Sequence, residues 1–126
     1  MHHSVITSRA GILLLALLTV ACASPVPQAI RQAPADNPSL SAVRAGTADY
    51  LGQQLRWGGT IIETENREDA TWLTVLGQTL RNSGRPRHSN DSAGRFIAII
   101  PEFLDPKVYA PDRRLTVTGT LLRSVE

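Results

Sequence analysis

A mainly β fold, curled toward a small open barrel, follows from three features of this 126-residue sequence. Apolar residues alternate with period two in separate stretches after Gln53. Those stretches are rich in β-branched residues, which suit a pleated, half-buried surface. A glycine pair, Gly58-Gly59, sits inside the first stretch, where a long strand would bend or bulge.

The first element lies ahead of that domain. Twelve uncharged residues run from Ala10 to Ala21 behind Arg9. A helix of that length rises about 18 Å, whereas a bilayer core asks for about 20 apolar residues. A short basic lead, an apolar run and small residues after it predict a secretory signal peptide over residues 1–21. A buried core helix is the competing reading. "LTVAC" resembles the lipobox of bacterial lipoproteins, with cleavage between Ala21 and Cys22 and a lipid on the Cys22 sulfur. Thr19 stands where the lipobox usually has leucine. Ala21-Cys22-Ala23 also fits ordinary secretory cleavage, which would release a soluble chain from Ser24. Lipidation is favoured, because a lone cysteine at the cut has little other purpose in an exported protein.

Residues 22–39 carry Pro25, Pro27, Pro34 and Pro38 without a sustained period, and read as a tether. The domain then occupies residues 40–126. "LSAVRAG" predicts a short helix from Leu40 to Ala45, closed by Gly46 in the left-handed conformation. "TADYLG" predicts a second turn ending at Gly52.

Four strands follow. "QLRWGGTIIETE" places Leu55, Trp57, Gly59 and Ile61 on one face. "DATWLTVLGQTL" sets Leu73 and Val75 against Trp72, Thr74 and Leu76. "GRFIAII" is nearly continuously apolar, and "RRLTVTGTLL" sets Leu115, Val117 and Leu121 against Thr116, Thr118 and Thr120. "NRE" is short enough for a hairpin turn. "RNSGRPRHSNDSA" reads as a long, polar, mobile loop. In "PEFLDPKVYAPD", Asp105 suits an N-cap and Pro106 a first helical position, so a short helix is expected, with Phe103 and Leu104 as plugs for the barrel. Strand-strand-strand-helix-strand is the order of an OB-fold without its fifth strand, an OB-like, partly open small barrel. A generic four-stranded α+β sheet is the alternative. An unfilled fifth position would leave an open edge and invite self-association.

Composition narrows the chemistry. Without Arg9, the 13 Lys and Arg become 12, against 11 Asp and Glu, so nucleic acid is disfavoured as a partner. His88 is the only histidine past the signal segment, so neither a zinc site nor any cofactor is indicated. A Ser/His/Asp triad would have His88 as its one base. Glu63 and Glu65 share a strand face like paired carboxylates, but a solvated strand end explains them better. No catalytic residue is assigned. Binding is the better-supported function. Trp72, with Arg85 and Arg95 near it, would form a surface for sugar rings or single strands. Packing of Trp72 under a loop is the competing outcome.

"GQQLRWGGTI", "GRFIA", "FLDPKVY" and "RLTVTGTL", in that order behind a lipobox, resemble the Slp/YeaY family of outer-membrane lipoproteins. The likeness runs from about Val43 to Leu121, plus the Cys22 region. It implies export, a lipid anchor in the outer membrane facing the periplasm, and a link to stationary-phase and stress physiology. It implies no catalytic residues. A periplasmic protein or a glycan would then be the partner. Glu102 stands where the family often has glycine. Relatives usually continue past the fourth strand, so the domain is expected to be C-terminally incomplete at Glu126.

Overall fold

Four antiparallel strands form one sheet in a computed structural model that describes residues 27–125. The expected signal segment, the cleavage pair Ala21 and Cys22, and the start of the tether lie outside the described residues. The strands are β1 (Gln54–Asn66), β2 (Thr71–Gln78), β3 (Arg95–Ile100) and β4 (Arg114–Thr120). Their order across the sheet is β3-β2-β1-β4. The mainly β, partly open architecture is therefore the one observed.

β1 is the organising strand, 13 residues long and paired on both sides. Gln54 to Trp57 pair with β4, and Glu63 to Asn66 pair with β2. Gly58, Gly59 and Thr60 pair with both. The glycines permit close approach there. A Cβ on Gly59 would lie 1.9 Å from the Leu76 carbonyl oxygen, and one on Gly58 would lie 2.6 Å from that of Leu115. The bulge expected at this pair falls further on. The β1–β2 register shifts between Ile61 and Glu63, which leaves Ile62 as the extra residue. One added residue bends a strand and strengthens its twist.

Alternation decides the core. Leu55, Ile61, Leu73 and Val75 are buried. Phe96, Ala98, Ile100 and Leu115 pack against the Leu73–Val75–Leu104 cluster from the outer strands. Leu115, Val117 and Leu121 are half-buried while Thr118 and Thr120 are exposed, as the predicted register requires; Thr116 is also half-buried, beside Gly84. Trp57 meets Phe96 edge-on with centroids 5.4 Å apart, and its Nε1–H donates to the Pro38 carbonyl at 2.7 Å. Leu104 plugs the core as expected, but Phe103 is 73% exposed.

The connections differ most from expectation. Where a short helix was predicted, a single capped turn is found. Asp105 Oδ1 accepts from the Lys107 N–H and its carbonyl from the Tyr109 N–H, both at 2.9 Å. Pro111 lacks an N–H and disfavours helical backbone at Ala110, so no second turn forms. The 79–94 connection, whose residues 81–93 were expected to be a long, polar, mobile loop, carries backbone pairing. Leu80 bridges Pro86, the Arg87 N–H donates to the Thr79 carbonyl at 2.8 Å, and Gly84 turns the chain at φ 93°. Gly84 is buried, and its carbonyl accepts from Thr116 Oγ1 on β4.

Ahead of the sheet lie α1 (Gln28–Arg31), α2 (Leu40–Ala45) and a 3-10 turn (Thr47–Tyr50). Ser39 Oγ caps α2 by accepting the Ala42 N–H at 3.2 Å. Gly46 is extended at φ −161° rather than left-handed, whereas Gly52 turns at φ 81°. Within the stretch read as a tether, Asn37 Oδ1 accepts the Arg56 N–H at 2.7 Å and its Nδ2 donates to the Arg56 carbonyl at 3.1 Å. These bonds tie residue 37 to β1. Between the two outer strands runs an apolar groove of about 390 Å³, with Phe96, Ile100, Val117 and Leu122 among its walls.

Candidate binding surface

The outer face of β2 and β3 is the face opposite Leu73 and Val75. Register sets its rows. Trp72 on β2 lies between Glu65 on β1 and Ile99 on β3. The next row along is Glu63, Thr74 and Ile97, and the one after is Thr60, Leu76 and Arg95. Trp72 and Ile97 are half-buried, and Ile99 is exposed at 36%.

The cation beside Trp72 is Arg67. Its guanidinium carbon sits 3.6 Å from the indole centroid. Its Nε donates to Glu65 Oε1 at 3.2 Å, so the carboxylate steadies the guanidinium over the ring. Arg67 lies in the β1–β2 hairpin turn, where its N–H donates to the Ala70 carbonyl at 2.8 Å. That turn folds it back over a strand that starts four residues later. Two local signals pointed there, the short "NRE" connection and an arginine within it, but the side chain's direction depends on the turn conformation.

Arg95 shares the outer face with Trp72, but at four residues' distance along the strands, about 13 Å. Arg85 follows Gly84, which is held against β4, two strands from β2. The Trp72 surface is thus bounded by Arg67, Glu65 and Ile99, with Arg95 at its far end and Arg85 elsewhere.

Groups for acid–base chemistry do not converge. Glu63, Glu65 and His88 are exposed, and Glu65 is engaged by Arg67. Among the described residues no cluster of three His, Cys, Asp or Glu could hold a metal ion. No described helix is long and apolar enough to cross a membrane.

Comparison with known proteins finds relatives in sequence. A family model described as "Outer membrane lipoprotein Slp family" matches residues 19–126. The chain is 30% identical over 112 residues to "Uncharacterized lipoprotein YeaY" of Escherichia coli (strain K12), covering 88% of this chain and 57% of that protein. It is 34% identical over 117 residues to "Outer membrane protein Slp" of the same organism, covering 91% and 61%. The chain therefore spans about three fifths of the length of these curated relatives. No solved structure matches significantly.

Proposed function

Because this chain belongs to the outer membrane lipoprotein Slp family, we propose that it is a lipid-anchored, non-enzymatic binding module on the periplasmic side of the outer membrane. Cys22 carries the lipid, after cleavage behind Ala21. The observation that carries this reading is the family match itself, which begins at Thr19 and so takes in Thr19 to Cys22 as well as the sheet. Ala23, in place of an aspartate after the cysteine, suits outer-membrane sorting. Several acyl chains would make attachment effectively permanent, since one chain binds only marginally.

The outer face of β2 and β3 is the proposed contact surface. The indole edge left beside Arg67, with Ile99 next to it, suits a glycan or a periplasmic protein better than a polyanion. The exposure of His88, Glu63 and Glu65 favours a binding role, because acid–base work needs groups sheltered from water.

The test is the mass of the mature N-terminus together with fractionation of Cys22→Ser. Diacylglyceryl and acyl mass on Cys22, with release of the variant from membranes, is the expected result. A mature chain starting at Ser24 without added mass would remove the anchor from the proposal.

A further inference from the structure

Net charge is almost balanced, yet the charges are sorted between the two ends of the sheet. Neighbouring strands are antiparallel, so the chain ahead of β1, the 79–94 connection and the residues after β4 gather at one end. The 67–70 turn and the 101–113 connection gather at the other.

At the first end, seven exposed arginines outnumber three exposed aspartates among the described residues. Arg81, Arg85 and Arg87 lie in the 79–94 connection, and Arg95 directly follows it. Arg31 and Arg44 stand in the last turns of α1 and α2, and Arg123 follows β4. The acids are Asp36, Asp49 and Asp91. No described carboxylate pairs with Arg81, Arg85 or Arg87. Arg56 is buried and adds to neither surface.

At the second end the balance reverses, with seven exposed carboxylates against four exposed cations. Glu63, Glu65, Glu68 and Asp69 surround the hairpin turn, and Glu102, Asp105 and Asp112 lie in the β3–β4 connection. Arg67, Lys107, Arg113 and Arg114 are the cations.

The chain enters at the basic end. α1 packs against β4, and its Ile30 carbonyl accepts from Arg56 Nη1. Gly84, in the middle of the arginine hairpin, approaches that carbonyl so closely that a Cβ would lie 2.5 Å from it. The hairpin arginines therefore flank a point where the chain is held to the sheet. Cys22 lies eight positions earlier. Even fully extended, that stretch covers at most about 29 Å, at about 3.6 Å per residue. A lipid on Cys22 keeps this end near the headgroups.

We propose that the basic end is a docking surface for anionic phospholipid headgroups of the membrane that holds the anchor. The domain stands on its arginine hairpin, with the acidic end and the Trp72 face turned away from the lipid. Anionic headgroups attract arginine within a screening length, and the guanidinium fork matches phosphate oxygens. The same field repels the acidic end, so sorted charge orients the domain where net charge could not. The inference rests on the anchor at Cys22 proposed above.

The test is cosedimentation of the exported, processed Cys22→Ser chain with vesicles. One set is phosphatidylethanolamine and phosphatidylglycerol in a three-to-one mixture, the other phosphatidylcholine alone. With no lipid on the protein, binding reads the surface alone, while failure of the anchor shows only in the mass of the wild-type N-terminus. The chain is expected to bind the anionic vesicles at least tenfold more strongly than the neutral ones. Raising salt from about 0.1 M to about 1 M shortens the screening length from about 10 Å to about 3 Å and should release it. Arg81, Arg85 and Arg87 changed together to Gln should weaken binding at least tenfold. Lys107, Arg113 and Arg114 changed together to Gln remove the same charge and should leave it within twofold. Native far-ultraviolet spectra of both variants accompany the comparison, and the vesicle and salt arms need no variant. Equal binding to both vesicle types, binding that survives salt, or equal loss in the two triple variants would each overturn the proposal. So would capture by a single-stranded oligonucleotide without capture by vesicles, because the partner would then be a free polyanion.

Discussion

The Thr71 hydroxyl accepts the backbone N–H of Leu104 at 3.0 Å, across 33 positions of sequence. Thr71 is fully buried at the start of β2. Its hydroxyl lies 2.8 Å from the Glu102 carbonyl and 2.6 Å from Asn66 Oδ1, and donates its single proton among them. One side chain thus fastens the β3–β4 connection to the sheet and sets Leu104 into the core.

Removing that hydroxyl without changing shape should be costly. Thr71→Val leaves the buried Leu104 N–H unsatisfied, for about 1–3 kcal/mol. Thr71→Ser keeps the bond and should cost less. Urea denaturation of the two variants gives the comparison, and equal midpoints would show that the hydroxyl holds nothing.

The glycines of the sheet should separate sharply. At Gly59 an added Cβ meets the Leu76 backbone at 1.9 Å, whereas at Gly119 it meets nothing within 4 Å. Gly59→Ala is expected to exceed the cost of ordinary overpacking, about 1–3 kcal/mol, because backbone must move. Gly119→Ala should be neutral or stabilising, by up to about 1 kcal/mol. Thermal melts of both variants check the contrast.

Arg67 should report on Trp72 optically more than energetically. Arg67→Ala removes an exposed cation–π contact, about 0.5–1 kcal/mol. It also uncovers the indole, so emission from Trp72 should move to the red when measured in a Trp57→Phe background. An unmoved spectrum would mean that the guanidinium does not cover the ring in solution.

β3 and β4 are the outer strands, and both border an apolar groove. Unlipidated Cys22→Ser protein is expected to self-associate through these edges as concentration rises in sedimentation. Ile99→Lys should restore monomer, since edge lysine opposes strand pairing. Monomer at every concentration in the parent would exclude edge pairing.

The strands were legible because each shows one face to the core. Leu73 and Val75 alternate with half-buried Trp72, Thr74 and Leu76, and such a period survives any tertiary arrangement. The bulge at Ile62 was not legible, since two isoleucines in a row suit either face and only pairing with β2 picks the extra one. The 79–94 hairpin was hidden by its polar composition. Its stability rests on Gly84 docking near Arg56 and Thr116, contacts made from distant sequence. Arg67 as a neighbour of Trp72 was not legible, for the same reason in miniature. Arg85 lies within the 79–94 connection and Arg95 opens β3 just after it, whereas the turn at residues 67–70 delivers Arg67.

Splitting β1 between two partners has a consequence for when the sheet can exist. Its second half can zip onto β2 across a four-residue turn as soon as both have been synthesised. Its first half must wait for β4, which follows the whole β2–β3 unit and the Asp105 turn. Closing so long a loop is slow beside a local hairpin. Half of the longest strand therefore stays without a mate until β4 has been made, and the open edge of the early hairpin is a folding-time property that the finished sheet no longer displays.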